Sequence, residues 1–307
     1  MTFTTNLNYG FEIARACEAA AITAARRQGF GNSLNLLKEA REALVRNINS
    51  RNAYKINIIN DRFQGHSFIS PFPSVLGNPD SAEEVEATIV TVDGHKVTAH
   101  GGPNAATYMA LAPKGTLQVM PNVYMNKIAV GPEAYGAVNV DASPAENVKK
   151  LARVLKKYID NITVVFLDRQ RNLEMIHEVR SCGARIQLIQ DGDISAALAT
   201  VFSGKVDMVM GYGGAQEGVL DRSGDEMHRE KIEQAGVTDP EKIYDINDLV
   251  KGNQVVIAGT GISDGYFLEG VRFEHNGAHT NSFVARGETK TFRNIKTRHY
   301  FDYKEIM

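Results

Sequence analysis

Between residues 143 and 214 the chain alternates between two hydrophobic periodicities, and that alternation restricts the fold more than any other feature of its 307 residues. Ser143-Pro144-Ala145-Glu146 is a capping box with proline at the first helical position, opening a helix that runs to about residue 158. Residues 162–167 form an apolar run suited to a strand buried on both faces. A helix over 172–181, a strand over 184–189, a helix over 194–202 capped by Asp193, and a strand over 206–210 follow in turn. The last strand runs into Gly211-Tyr212-Gly213-Gly214. Strand, helix, strand, helix, strand at this spacing is a βαβαβ unit, and its parallel crossovers are right-handed.

The first half follows a different grammar. Residues 11–27 place Ile13, Cys17, Ala21 and Ala24 on one helical face, and the glycines of Gly29-Phe30-Gly31 end that helix. Ser33 is positioned to cap a second helix carrying Leu37, Ala40, Leu44 and Ile48. Residues 55–59 read as a strand, and 65–80, with Pro71, Pro73 and Pro79, as a loop. Residues 87–92, Asp93-Gly94 and 95–99 predict a hairpin closed by a two-residue turn. Strand-like stretches at 105–112 and 117–119 complete an expected antiparallel sheet with helices packed on it. A further buried strand at 255–258 ends at Gly259-Thr260-Gly261. The expected class is therefore α/β, with an α+β first half (1–135) and a βαβ second half (136–307).

Composition removes several functions. Thirty-four basic against 36 acidic side chains leave a net charge of −2, which argues against a nucleic-acid partner. No apolar window approaches the length of a membrane span, and the first residues lack a basic segment followed by an apolar one. With two cysteines, Cys17 and Cys182, neither a disulfide framework nor a cysteine metal site is available, and a cytoplasmic location is expected. Gly211 to Gln216 departs from G-x-G-x-x-G at its sixth position, and no P-loop, H-E-x-x-H or G-x-S-x-G motif is present.

In a parallel sheet, ligands bind beyond the carboxyl ends of the strands. Those ends carry Asp168-Arg169-Gln170-Arg171, Asp191-Gly192-Asp193, Gly211-Tyr212-Gly213-Gly214 and Gly259-Thr260-Gly261. Guanidiniums suit phosphate, carboxylates suit sugar hydroxyls, and glycines let a ligand approach the main chain. Taken singly, each has a plainer reading: solvated arginines, a helix-capping Asp193, a tight glycine turn. Their convergence on one sheet edge is what points to a phosphorylated sugar.

The same strand-end motifs, with Tyr124-Met125-Asn126-Lys127-Ile128-Ala129-Val130-Gly131-Pro132, Glu12 to Ala20 and the tail from Arg286 to Asp302, resemble the class II fructose-1,6-bisphosphatases of bacteria over nearly the whole chain. The resemblance implies the layered α-β-α-β-α fold of the sugar phosphatase and inositol monophosphatase superfamily. It implies sugar-phosphate binding through Tyr124, Arg169, Gln170, Arg171, Asp191, Gly192, Asp193 and Gly214, and a homo-oligomer.

The family's metal ligands do not all carry over. Gly29 to Asn35 stands where the family has Gly-Asp-Lys-x-x-Ala-Asp-Gly, so a ligand acid becomes Asn35. Asn60 falls at a second acid, and Val90 to His95 replaces Asp-Pro-Ile-Glu-Gly-Thr. Glu217 persists. Magnesium beside a phosphate needs several anionic oxygens, and Asp93 with Glu217 supplies too few for two or three ions. Three readings follow. The first is an enzyme using Asp93, His95 and Glu217, with His66 or His100, in metal-independent acid–base chemistry such as isomerisation, epimerisation, elimination or cyclisation. The second is a sugar bisphosphatase whose manganese or magnesium site is rebuilt from Asp61, Asp93, His95 and Glu217. The third is a sugar-phosphate-binding protein without catalysis. The expected cofactor is accordingly none, or a weakly held divalent cation.

Overall fold

A computed structural model describes residues 8–51, 54–61, 72–118, 123–214, 243 and 246–301. It is a mixed α/β protein built from two compact units. One comprises Met1–Val119 with Val250–Met307, the other Met120–Leu249. The division thus falls at 119/120, with the C-terminal strands returned to the first unit, where a single boundary at 135/136 was expected.

The first unit contains α1 (Asn8–Ala25), α2 (Ser33–Arg51), β1 (Lys55–Asp61), β2 (Val75–Gly77), β3 (Glu84–Asp93), α3 (His95–Ala99) and β4 (Ala106–Pro113). Its sheet runs β10-β11-β9-β4-β3-β1-β2, with β12 on the outer edge of β11. Those later strands are β9 (Val256–Gly261), β10 (Arg272–Glu274), β11 (Gly277–Arg286) and β12 (Thr291–Tyr300). The sheet is mixed, because β1 and β3 are parallel. Ile13, Cys17, Ala21 and Ala24 are fully buried, as the helical spacing requires, and pack with Leu37, Ala40, Leu44 and Ile48 of α2 in one core with Ile89, Met109 and Ala258. Small alanine side chains let α1 lie close against the strands, and burial of the larger Leu and Ile chains stabilises by about 1.5–3 kcal/mol each. Asn32, not Ser33, caps α2: its Oδ1 accepts the Asn35 N–H at 3.0 Å, the bond an N-cap makes to the third helical residue.

The expected hairpin at Asp93-Gly94 is not formed. A type I′ turn needs both central residues in the left-handed region, and Gly94 is there (φ 82°) while Asp93 remains in β3, opposite Ala106. No edge was open to a returning strand either, since β3 is already flanked by β1 and β4. Residues 95–99 instead wind into α3, with Thr98 N–H and Oγ1 both bonded to the Gly94 carbonyl. The glycine loop after α1 docks there: Gly29 N–H donates to Thr98 O and Gly31 N–H to Ala99 O. Leu117 makes an isolated bridge with Val250, and Val119 lies outside the described residues.

The second unit contains β5 (Tyr124–Val130), α4 (Pro144–Leu155), β6 (Thr163–Leu167), α5 (Leu173–Ser181), β7 (Arg185–Ile189), α6 (Asp193–Phe202) and β8 (Met208–Gly214). Its sheet order is β5-β8-β6-β7, with β6 parallel to both β7 and β8 and β5 antiparallel to β8. The capping box forms, Ser143 Oγ accepting the Glu146 N–H at 3.2 Å. The helix stops at Leu155, short of 158, where Lys156 takes a left-handed conformation. Alternate strand residues split between the two faces. Val164, Phe166, Met208 and Met210 pack with α4 and α5, whereas Leu167 and Val209 face Ile194 and Ala197 of α6. The chain moves from β6 outward to β7, then back past β6 to β8. That reversal makes the gap between β6 and β8 a topological switch point.

Candidate functional site

The carboxyl ends of β6, β7 and β8 lie at one edge of the second unit, and the antiparallel β5 begins there, Tyr124 pairing with Gly214. Tyr124, Arg169, Gln170, Arg171, Asp191, Gly192, Asp193 and Gly214 therefore come together on this edge. Gly259-Thr260-Gly261 belongs to a different sheet. It ends β9 in the first unit's sheet, because its antiparallel neighbours β4 and β11 both belong to that unit.

Between β6 and β8 the ladder is short, with pairs only at Val164–Met208 and Val165–Val209. Asn172 fills the opening beyond. Its Nδ2 donates to Leu167 O at 2.8 Å, its Oδ1 accepts Tyr212 N–H at 2.9 Å, and the residue is fully buried. One amide thus satisfies a carbonyl of β6 and an N–H of β8 that the diverging strands leave apart. Asn172 was not singled out in the sequence. An asparagine directly after an arginine at a strand end carries no signal of its own.

Arg171 is held in two ways. Its Nε donates to Tyr212 O at 3.0 Å, and its guanidinium lies 4.7 Å from the centre of the Tyr124 ring. Stacking on an aromatic face fixes the plane of the fork at modest energetic cost. Arg169 turns otherwise, donating to the carbonyls of Asp168 and Gln190 and so bracing the ends of β6 and β7. Gln190 Nε2 adds a bond to Asp168 Oδ2 at 2.9 Å. Gln170 is exposed at the start of a short 3-10 turn. Burial, and then the Glu174 carboxylate, push the Tyr212 phenol above its usual range.

Asp193 does not cap its helix as expected. Gly192 is the N-cap, in left-handed conformation, with no side-chain capping bond. The Asp193 carboxylate instead meets Lys127 of β5, Oδ2 to Nζ at 3.1 Å. Both line a cleft between α6 and the sheet, together with Asn172, Gly211 and Gly213. Asp191 Oδ1 accepts the Gly192 N–H, bending the loop back on itself. In the sequence Lys127 stands only within the Tyr124–Pro132 motif, and a charged side chain before the apolar Ile128-Ala129-Val130 is the signal available.

In the first unit, Asp93 ends β3 fully buried and His95 begins α3 half-buried. Asn35 donates from Nδ2 to Glu39 Oε1 at 2.8 Å, on its own helix. Glu39 also receives both arms of Arg27, at 2.7 and 2.9 Å, which hold its carboxyl below the ordinary range. His100 is exposed, with Nδ1 2.8 Å from Lys96 O. His66 and Glu217, and the side chains of Asn60 and Asp61, lie outside the described residues. Among the described residues, no helix is long and apolar enough to cross a membrane.

The family model for bacterial fructose-1,6-bisphosphatase, glpX-encoded, matches residues 7–299. A D-fructose 1,6-bisphosphatase class 2/sedoheptulose 1,7-bisphosphatase of Thermosynechococcus vestitus is 32% identical, the alignment covering 95% of this chain and 96% of that protein. Relatives with the same description from Synechococcus elongatus and a Nostoc species are each 31% identical, over 95% and 94% of this chain and 96% and 95% of their own lengths. With the fold in agreement and a match over nearly the whole chain, the chain belongs to the class II, glpX-encoded bacterial fructose-1,6-bisphosphatase family.

Proposed function

We propose that this protein binds a phosphorylated sugar at the carboxyl edge of the second unit's sheet and transforms it as an enzyme. The observation that carries the reading is the Arg171 fork stacked on Tyr124 beside the Lys127–Asp193 pair at a topological switch point. Arginine provides a planar donor for phosphate, and carboxylates accept from hydroxyls. Tyr124, Gln170, Asp191, Gly192 and Gly214 frame the same edge.

The family resemblance implies a divalent cation. At the positions aligned with its ligands, Asn35 presents an amide already donating to Glu39, and Val90 is apolar and buried. Of that set only Asp93 keeps a carboxylate among the described residues, and one carboxylate alone is too few for a multi-ion centre. The chemistry these residues support is proton transfer. Asp93 or His95 removes the proton from the hydroxyl-bearing carbon beside the sugar carbonyl, and the electron pair moves onto the carbonyl oxygen. The hydroxyl proton then passes to that oxygen, a carbonyl forms at the first carbon, and the abstracted proton is returned at the former carbonyl carbon. Glu217 is assigned to the same group by resemblance.

A second reading is favoured by the relatives' descriptions over nearly the full chain: hydrolysis of a sugar bisphosphate with manganese or magnesium held in part by Asp93 and Glu217. One experiment separates the two. Fructose 1,6-bisphosphate and sedoheptulose 1,7-bisphosphate are incubated with the protein in D2O, with EDTA, magnesium or manganese, and followed by proton and phosphorus NMR. Deuterium entering beside the carbonyl in EDTA supports proton transfer, and phosphate release only with metal supports hydrolysis. Binding by calorimetry without either reaction leaves a binding protein and overturns the enzymatic reading. A cytoplasmic homo-oligomer accompanies this reading, and sedimentation tests its oligomeric part.

A further inference from the structure

We propose that Asn172 is a positioning residue for Arg171, acting through the backbone of Tyr212 to hold the guanidinium in place for phosphate. The inference rests on the sugar-phosphate reading of this edge and adds the residue that orders its phosphate contact.

In a strand, the N–H and C=O of one residue point to the same side, where a neighbouring strand ordinarily takes up both. Beside Tyr212 the ladder between β6 and β8 has already ended, its last pair being Val165–Val209. Two consecutive side chains take the place of the missing strand. Asn172 Oδ1 accepts the Tyr212 N–H at 2.9 Å, and Arg171 Nε donates to the Tyr212 carbonyl at 3.0 Å. The direction of that carbonyl sets where the guanidinium sits, and Asn172 sets the direction of the carbonyl.

Asn172 is built for this role. It is fully buried, and its Nδ2 donates to Leu167 O at 2.8 Å, so the amide is pinned between β6 and β8. Gly211 lies against it with φ 136°, a conformation that residues with a side chain rarely adopt. A Cβ there would stand 3.0 to 3.1 Å from Oδ1, Cγ and Nδ2 of Asn172, closer than ordinary van der Waals contact. Glycine at 211 thus makes room for the amide.

Arg171, by contrast, is exposed. A surface arginine loses rotamer freedom when it engages a ligand, and any constraint present beforehand reduces that loss. Two constraints act here, the Tyr212 carbonyl on Nε and the Tyr124 ring, whose centre lies 4.7 Å from the guanidinium. The first lasts only while the backbone of Tyr212 is held.

The test is isothermal titration of the full chain with inorganic phosphate and, separately, fructose 1,6-bisphosphate. Wild type, Asn172→Ala, Arg171→Ala and the double variant are compared, and thermal melts establish that each is folded. Asn172→Ala is expected to weaken both ligands by about 3- to 10-fold, and by no more than Arg171→Ala does, because it removes only the ordering of that contact. In the Arg171→Ala background the same substitution is expected to cost nothing further, since one residue acts through the other. Wild-type affinity in folded Asn172→Ala overturns the inference and leaves the sugar-phosphate reading intact. An equal loss in both backgrounds does the same, because it makes Asn172 a residue of the fold alone. A wild-type protein that fails to bind the bisphosphate overturns the sugar-phosphate reading and this inference together. Should Asn172→Ala not fold, Gly211→Ala, whose added methyl group displaces the same amide, carries the comparison.

Discussion

The two units bury polar side chains to opposite ends. In the first, Glu18 of α1 sinks against the sheet and accepts from Thr297 at 2.8 Å, Ser282 at 3.2 Å and Thr280 at 3.4 Å. Ser282 also bonds Thr260, and Thr107 donates to the Thr91 carbonyl. Glu86 takes the N–H groups of Gly115 and Leu117 beyond β4. These bonds tie helix to strand and strand to turn. In the second unit, Asn172, Lys127 and Asp193 gather at one strand edge and line a cleft. A buried polar group is therefore no marker of a site by itself. Convergence where the sheet reverses its winding is the better guide, because there the strands part and leave backbone groups and space for side chains to use.

The largest effect belongs to His95→Ala, the general acid or base of the proposed reaction. Turnover of a sugar phosphate substrate should fall by about 10²- to 10⁴-fold, the usual contribution of a general acid or base, with calorimetric affinity unchanged. Equal falls in both would make His95 a binding or folding residue and not an acid or base. Next comes Asn172→Ala, which leaves the Leu167 carbonyl and the Tyr212 N–H without their partner. Urea denaturation should show a loss of about 2–4 kcal/mol; a loss near zero would mean that the switch point does not need its plug.

Arg171→Ala should cost about tenfold in affinity for both phosphate and sugar bisphosphate, measured by titration, since one exposed charge-assisted contact is removed. A loss confined to the sugar ligand would reassign Arg171 from phosphate to hydroxyls. The smallest effect concerns pH and the first unit. Burial holds His299 below its ordinary value near 6.5, against the opposing pull of Glu18 and with help from His279. Between the lowered value and the ordinary one, the unfolded chain carries a proton that the folded chain does not. Stability from this group is thus complete above the ordinary value and declines as the pH falls toward the lowered one. His299→Gln should flatten that decline in melts taken between about pH 7 and about pH 5; an unchanged slope would free the Glu18 cluster of any titrating role.

Local chemistry specified a good deal of this protein. The capping box at Ser143, the apolar run in β6, the alternation that follows and the alanine face of α1 each act within a few residues, and each appears in the structure where its pattern lies. The strand-end residues of the second unit were legible for the same reason: a βαβ unit fixes which ends share an edge. Sequence could not decide matters that depend on neighbours far along the chain. Asp93-Gly94 has hairpin composition, yet β1 and β4 already flank β3, so the chain had nowhere to return and coiled into α3. Asp193 has capping composition, yet Lys127, brought alongside by the antiparallel pairing of β5 with β8, took its carboxylate. Gly259-Thr260-Gly261 has the look of a ligand loop, yet pairing with β4 and β11 assigned it to the other sheet. Periodicity and caps are settled by bonds within a turn or two, whereas strand neighbours and ion partners are settled by whichever distant segment completes the ladder or compensates the charge.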